Sequence, residues 1–206
     1  QTALAFVLQV GAGLLVRGFL RLNAVSPGFE IKNLAALTLS LPGKRYGTPA
    51  LRQDFYDRLR DRVAGLPGVT EATLAGGVPP SSSGIMFSVE LEIEGQPPQK
   101  ITKGAELLPY NTVADDYFRV MRIPLVRGRG FDRQDTPGGP PSIIIIDRMA
   151  NRFWPSGDPV GQRIRFNVRQ PWMTIVGVAG DVKARGPSDE TGDLEFYKSM
   201  RQEGYA

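Results

Sequence analysis

Serines, lysines and carboxylates are the main groups in this chain that could support nucleophilic or acid–base catalysis, because the sequence contains no histidine and no cysteine. A Ser-His-Asp triad, a thiolate nucleophile, a disulfide framework and a Cys/His zinc site are therefore excluded. The serine candidates are Ser81, Ser82 and Ser83. A Ser–Lys pair would require the fold to bring Lys100 or Lys103 to them, whereas their setting among prolines and glycines is typical of a flexible loop.

Three glutamates, Glu90, Glu92 and Glu94, alternate along one segment. Two suitably spaced carboxylates are the machinery of glycosidases, but nothing in the sequence selects a pair. Alternation with Leu91 and Ile93 is typical of the solvated face of a half-exposed strand, or of a protected sheet edge. No loop shows the acidic spacing of a calcium or magnesium site. We therefore predict no catalytic residue and no metal ligand.

Nucleotide-binding loops are also missing from the sequence. It contains no G-x-x-x-x-G-K-[ST], and no G-x-G-x-x-G opens a helix after a strand. The glycines of residues 177–180 lie inside a strand pattern, where glycine marks a bulge or a close approach of two backbones. We therefore expect the chain neither to bind nor to hydrolyse ATP, and we predict no cofactor.

The formal net charge of +4 raises the question of a nucleic-acid partner. The basic residues are interleaved with acidic ones, most clearly in residues 52–62, and no basic stripe with interspersed aromatic side chains occurs. Such a mixture is typical of a solvated helix face. We predict no nucleic-acid binding.

An apolar run occupies residues 3–16 and is interrupted by Gln9 and by a cluster of small residues, Gly11 to Gly13. As a helix this run would be roughly 21 Å long, which is shorter than the hydrocarbon core of about 30 Å. We interpret residues 1–22 as the C-terminal part of a transmembrane helix, with lipid contacts at residues 3–16. The alternative is a buried core helix. Arg17 and Arg21 follow the run and leave the orientation open.

The next segments predict a β-α-β unit. Residues 23–33 form a linker, and residues 34–41 alternate as a strand with one buried face. Thr48 is a suitable N-cap for a helix with Pro49 in its first turn, and an apolar stripe at intervals of four residues predicts that this helix lies on a sheet. A second strand is predicted at residues 69–74.

Short strands and helices are predicted for the rest of the chain. They are a loop at 76–84, strands at 86–94 and 107–113, a helix at 115–121, a buried strand at 143–146 with Asp147 as a cap, a helix at 148–153, and an antiparallel strand pair at 162–168 and 172–183. The apolar pattern fades after residue 186, which predicts an irregular or truncated tail at 187–206.

Several motifs within these elements are packing and turn devices. They are Asp116-Tyr117-Phe118, Ile123-Pro124-Leu125-Val126-Arg127-Gly128-Arg129-Gly130-Phe131, Ala150-Asn151-Arg152-Phe153-Trp154-Pro155, Asp158-Pro159-Val160-Gly161-Gln162-Arg163-Ile164 and Trp172-Met173-Thr174-Ile175-Val176-Gly177-Val178-Ala179-Gly180-Asp181-Val182-Lys183. Glycines in them allow tight turns, and the Phe–Trp pair brings a large apolar area to a short helix. None of the motifs forms a catalytic constellation.

As an ordered set, these motifs resemble the MacB-like periplasmic core domain of FtsX-type ABC transporter permeases, and among those the acidobacterial-type permeases. The resemblance begins with the apolar helix and the Pro27-Gly28-Phe29 sequence, and it extends over residues 3–186. Asp147 stands where this family commonly has Asn. The usual Pro-x-x-Tyr-x-Pro ending is absent, with Phe196-Tyr197 as its candidate remnant.

The resemblance implies an α+β core domain at residues 34–186 with two lobes. A porter-like β-α-β lobe would comprise residues 34–75 and 171–186, and an inserted β-rich lobe would comprise residues 76–170. The working parts would be the connection between helix and domain, residues 17–29, and a hinge between the lobes near Gly76, Gly77 and residues 168–171.

The resemblance also implies a non-catalytic function. Such a domain lies on the periplasmic or extracellular side of the bacterial cell membrane and couples ATP-driven movement to export or efflux. Its partners would be a cytoplasmic nucleotide-binding ATPase subunit, a second permease in a dimer, and a periplasmic adaptor. The alternatives are a membrane-tethered sensor that binds a ligand between the lobes, and a hydrolase built on serine or paired acids.

Overall fold

The computed structural model of the chain describes residues 9, 11–18, 20, 28–30, 32–79, 84–88, 90–101, 106–182 and 194–204. Residues 11–18 are helical. The helices that follow are α1 (Pro49–Ala64), α2 (Tyr117–Val120), α3 (Asp147–Phe153) and α4 (Met200–Glu203). The strands are β1 (Gly84–Ser88), β2 (Glu90–Ile93), β3 (Gln99–Lys100), β4 (Glu106–Val113), β5 (Leu125–Gly128), β6 (Ser142–Ile146), β7 (Arg163–Arg165), β8 (Met173–Ala179) and β9 (Phe196–Ser199).

The described strands form a mixed sheet in the order β1-β4-β9-β6-β8-β7-β2-β3, and β5 also pairs with β8. Strand β9 is parallel to β4 and antiparallel to β6. Strand β8 is parallel to β6 on one edge, and on its other edge it pairs antiparallel with both β7 and β5. A mixed sheet with short helices confirms the predicted α+β class. The division into two lobes remains a prediction.

The centre of the core is the strand pair β6–β8. All five residues of β6 are buried, and Ile143 to Ile146 are at most 1% exposed. Met149 and Ala150 of α3, both 0% exposed, belong to the same core. The prediction of a buried strand at residues 143–146 is confirmed, and so is the antiparallel pair β7–β8 with the longer β8 in the middle of the sheet.

Glycine allows β5 and β8 to approach closely. Gly128 and Gly177 lie directly opposite each other. A Cβ atom at Gly177 would overlap the backbone carbonyl of Arg129, and one at Gly128 would overlap that of Val176. The register of β6 against β8 also shifts between Ile143 and Ile144. The predicted bulge or close backbone approach at residues 177–180 is therefore confirmed.

The strands predicted on either side of α1 are wrong. Residues 34–41 form no strand, and Leu37 and Leu39 are 78% and 40% exposed. Residues 69–74, the second predicted strand, also form no strand. The residue that follows them, Ala75, makes an isolated bridge to Val113 of β4. Alternation of side chains favours a strand, but a strand also needs a neighbour that accepts and donates its backbone hydrogen bonds.

Helix α1 forms as predicted, but it does not pack as predicted. The side chain of Thr48 accepts a hydrogen bond from the amide of Leu51 at 3.3 Å, and Pro49 begins the helix. None of the residues of α1 is buried, and Leu51 at the start of the apolar stripe is 48% exposed. Local capping thus determines the helix, whereas the predicted sheet beneath it is missing from the described residues.

The predicted irregular tail is also wrong for residues 194–203. Strand β9 lies between β4 and β6, and Phe196 and Tyr197 are 0% and 1% exposed. The Phe196 ring stacks on Phe166 with 4.8 Å between the ring centroids. Four residues are too few for a periodic signal, and the burial of β9 comes from its two neighbours.

Two further predictions need correction. The segment at residues 86–94 is two strands, since β1 pairs with β4 whereas β2 pairs with β7 and β3. Ile146 occupies the N-cap position of α3, and the predicted cap Asp147 is the first residue inside the helix. Its carboxylate instead accepts bonds from the side chains of Arg127 and Asn151, at 3.2 and 3.0 Å.

An ion pair with a buried carboxylate connects the turn after β5 to the loop that precedes β6. The guanidinium of Arg129 donates to both carboxylate oxygens of Asp135, at 2.8 and 3.1 Å, and the amide of Asp132 donates to the same carboxylate at 2.9 Å. The Asp135 side chain is 1% exposed. Burial alone would raise the pKa of Asp135. The bonds from Arg129, Asp132 and Ser142, with the charge of Arg129, outweigh it and lower that pKa.

We expect Phe196→Ala to reduce the free energy of unfolding by about 3–5 kcal/mol, because it removes a fully buried ring. The control is Leu37→Ala, which we expect to change it by no more than about 0.5 kcal/mol at an exposed position. Denaturant unfolding followed by circular dichroism measures both. Equal effects of the two substitutions would contradict the placement of β9.

We expect Asp135→Asn to destabilise the chain by about 2 kcal/mol at neutral pH, because it breaks a buried charged hydrogen bond. The folded pKa of Asp135 lies below the unfolded value of about 3.9. The stabilisation is therefore complete above the unfolded pKa and is lost as the pH falls through the folded pKa. Denaturant unfolding at a series of pH values should show that the free energies of unfolding of the two proteins converge in acid. A difference in free energy that stays constant into acid would contradict the assignment.

Candidate functional site

The catalytic candidates of the sequence do not form a site in the described structure. Ser81, Ser82, Ser83 and Lys103 lie outside the described residues, as does the side chain of Lys100. No described group of three or more acidic side chains is placed to hold a metal ion.

The alternating glutamates contact arginines across the sheet. Arg165 donates to Glu92 from two of its nitrogens, at 2.9 and 2.6 Å, and Arg163 donates to Glu94 at 2.9 Å. The indole of Trp172 lies beneath the Arg165 guanidinium, with 4.5 Å between Cζ and the ring centroid. Opposite charges at directly paired positions stabilise a sheet. These two carboxylates are therefore used in strand pairing.

An exposed apolar helix precedes the core. Leu14, Leu15 and Val16 are 64%, 77% and 59% exposed, and Leu20 is 62% exposed. Residues 3–8 of the predicted lipid-contacting run lie outside the described residues. Among the described residues, no helix combines the length and the apolar character that crossing a bilayer requires. The exposure of residues 12–18 contradicts the alternative of a buried core helix.

Residues 28–30, which we call the junction, connect this helix to the core. Gly28 has φ +86° and lies against the end of β8, where a Cβ atom would overlap the carbonyl of Asp181. The amide of Glu30 donates to the carbonyl of Met121 at 3.1 Å, and Phe29 packs against the core cluster. The junction is therefore held by backbone contacts at two places, at the C-terminal end of β8 and at the end of α2.

Asp181 links the junction to helix α3. Its carboxylate accepts a hydrogen bond from the backbone amide of Arg148 at 2.9 Å and lies 3.7 Å from the Nε of that residue. Burial raises the pKa of Tyr197, and the nearby Glu195, Tyr117 and Asp181 raise it further. Asp181 is thus in contact with two elements, the junction and α3.

The residues predicted to form a hinge are bonded to the sheet. Asn111, 2% exposed, accepts from the amide of Gly77 at 3.0 Å and donates to its carbonyl at 2.7 Å. The amide of Gly76 donates to Thr112 at 2.8 Å. Residues 168–171 belong to the turn between β7 and β8. A hinge at these positions remains a prediction.

An open groove of about 330 Å³ lies beside the contact between β5 and β8. Its lining residues are Gly128, Arg129, Val160, Gly161, Thr174, Ile175 and Val176. The lining is mostly apolar, and the charged side chain of Arg129 is bonded to Asp135. Small-molecule sites combine an apolar wall with a few converging polar groups. The polar side-chain groups of this groove are the hydroxyl of Thr174 and the guanidinium of Arg129, which is already paired with Asp135, so that the groove does not match this description.

Sequence reasoning identified both partners of the junction contact but not the contact itself. Gly28 and Asp181 each stood in a motif, yet they are far apart in the chain. A glycine after proline indicates a turn. It does not indicate which other backbone segment lies so close that there is no room for a Cβ atom. Met121 and Arg148 carried no signal, because they contribute backbone groups that every residue possesses.

Comparison with known proteins places the chain in a family. The profile of the MacB-like periplasmic core domain matches residues 10–202. The periplasmic region of MacB from Actinobacillus actinomycetemcomitans is similar at 12% identity and a TM-score of 0.45, over 69% of this chain and 53% of that one. The extracellular domain of the noncanonic ABC-type transporter YknZ from Gram-positive bacteria is similar at 15% identity and a TM-score of 0.42, over 69% and 61%.

No curated protein matches the chain. The chain spans roughly half to three fifths of the length of these two solved structures. The profile covers nearly all of the core, including strand β9, which lies beyond the segment that the sequence motifs reached. The chain belongs to the family of MacB-like periplasmic core domains.

Proposed function

We propose that the chain is the extracytoplasmic domain of an ABC transporter permease and that it acts mechanically, coupling ATP-driven movement of transmembrane helices to export or efflux. One observation carries this proposal: an apolar helix with exposed leucines leads to a core that holds the connecting residues through backbone contacts. The first feature suits lipid contact, and the second suits the transmission of movement.

Lipid contact is supported by the exposure of the helix. Side chains such as Leu14 and Leu15 would be costly in water, and burial of each would contribute about 2 kcal/mol. The described core does not cover them. A membrane-spanning helix that continues on the N-terminal side of residue 9 would place them in the hydrocarbon, with the core on the periplasmic or extracellular side.

Transmission of movement is supported by the stiffness of the junction. Gly28 and Asp181 are in backbone contact, so that no flexible side chain separates the junction from the end of β8. Strand β8, which ends at this contact, is paired on both edges. Packed protein interiors transmit strain because they have few voids. A push at the junction would therefore reach the centre of the sheet.

The remaining parts of the proposal come from membership in the family. The nucleotide would be bound by a cytoplasmic ATPase subunit, which acts through the other parts of the permease. The permease would be a dimer, and a periplasmic adaptor is a further partner. The domain itself would be non-catalytic, in agreement with the use of Glu92 and Glu94 in strand pairing.

We expect a spin label at Leu15→Cys, in the full-length protein in lipid nanodiscs, to collide with dissolved oxygen more often than with a water-soluble nickel chelate. Oxygen concentrates in hydrocarbon, whereas the chelate stays in water. A label at Val168→Cys, which is 68% exposed on the core, is the control and should show the opposite preference. Equal chelate access at both positions would contradict lipid contact.

We expect ATP to change the distance between the helix and the core by several Å. The chain has no cysteine, so spin labels at Val16→Cys and Val168→Cys report this distance by pulsed electron resonance once cysteines elsewhere in the protein are replaced. Labels at Arg133→Cys and Val168→Cys, both within the core, are the matched control and should not move apart.

An ATPase subunit that binds but cannot hydrolyse ATP separates the effects of binding and hydrolysis. A helix–core distance that is the same with and without ATP would contradict mechanical coupling. A small molecule that raises Tm by several degrees without any such movement would favour the membrane-tethered sensor instead.

A further inference from the structure

The contact between Gly28 and Asp181 is positioned to affect more than the end of β8. Gly28 adopts φ +86°, which is unfavourable for other residues, and a Cβ atom there would overlap the Asp181 carbonyl. The α-carbon of Val182 also lies within 3.0 Å of such a Cβ atom. Any movement of the junction therefore moves the backbone of Asp181 or breaks this contact.

Asp181 in turn holds the beginning of α3. The N-cap residue of that helix is Ile146, whose apolar side chain makes no cap hydrogen bond, and the Asp147 carboxylate is bonded to the side chains of Arg127 and Asn151. The backbone amide of Arg148 donates instead to Asp181 at 2.9 Å. Amides in the first turn of a helix lack partners inside the helix, so that this long-range bond satisfies one of them.

Helix α3 contacts two further parts of the domain, the core beside β6 and the segment after β3. Its buried residues Met149 and Ala150 lie in the same core as β6, and both are 0% exposed. Near its other end, Arg152 donates from its guanidinium to the carbonyl of Ile101, which follows β3 and is 1% exposed. The helix thus bridges the loop after β8 and the segment after β3 at the far end of the sheet order.

We propose that Asp181 is the positioning residue through which the junction acts on α3. Displacement of the N-terminal helix would weaken or strengthen the hydrogen bond from the Arg148 amide to the Asp181 carboxylate and shift α3 against the sheet. This inference rests on the proposed mechanical function and names the first step of its path inside the core. The competing path runs from Glu30 to the carbonyl of Met121 and enters α2.

Amide hydrogen exchange with residue resolution separates the two paths, in the full-length protein in nanodiscs and without ATP. Gly28→Ala should raise the exchange rate of the Arg148 amide about fivefold, which is the size of effect expected from losing one helix cap. Gly68→Ala is the matched control. Gly68 has nearly the same backbone angle, φ +85°, but a Cβ atom there meets nothing within 4 Å.

Substitution of Asp181 tests the link itself. Asp181→Ala should raise exchange at Arg148 about as much as Gly28→Ala, and the double variant should add nothing further, because both changes act on one bond. Asp181→Asn retains an acceptor oxygen and should preserve most of the protection. A role of Asp181 in stability alone would instead raise exchange throughout β6, and the effect of Gly28→Ala would add to it.

Three results would overturn the proposal: no change at Arg148 in Gly28→Ala, a change in α2 only, or an undiminished effect of Gly28→Ala in the Asp181→Ala background. Should Gly28→Ala fail to fold, Phe29→Ala loosens the same junction and is subject to the same comparisons. Since no nucleotide is present, a missing ATP-linked distance change would refute the mechanical function without altering this result. Conversely, an unchanged exchange rate at Arg148 would refute this inference without altering the ATP-linked distance change.

Discussion

Strand β6 consists of Ser142 and four isoleucines, all of which are buried, so that its backbone groups must find partners within the protein. The neighbours that meet this requirement are β8 and β9, which lie on its two edges. Much of the described architecture follows from this constraint. The four-residue strand β9 therefore lies in the middle of the sheet, beside β6. On its other edge, β8 pairs with both β5 and β7.

The position of β8 determines where the N-terminal part of the chain meets the core. Its last residues pass beside Pro124 and lead to Asp181, against which Gly28 lies. In this way one of the central strands of the sheet leads to the contact with the junction.

Charged residues in this domain are used mainly for structure. Arg129 and Asp135 connect a turn to a loop, Arg165 and Glu92 join two strands, and Asp147 holds the side chains of Arg127 and Asn151. Of these residues, Glu92 was a candidate for chemistry in the sequence, and its pairing with Arg165 accounts for it.

The sequence by itself determined the features that depend on neighbouring residues. Helix α1 was predictable because Thr48 and Pro49 provide its cap and first turn locally, and β6 was predictable because four consecutive isoleucines favour a buried strand. The glycines at residues 177–180 indicated a close approach for a similar reason. The ordered motifs were sufficient to identify the family, since they reflect turns and packing that recur in it.

Tertiary structure decided which segments found partners. Residues 34–41 have a better strand pattern than Phe196 to Ser199, yet only the latter form a strand, because a strand is stable where two edges supply its hydrogen bonds and its side chains can be buried. The backbone contact between Gly28 and Asp181, and the bond from the Arg148 amide to the Asp181 carboxylate, join groups that lie far apart in the chain. No local pattern encodes such contacts, since every residue carries the same backbone and only the folded chain determines which groups meet.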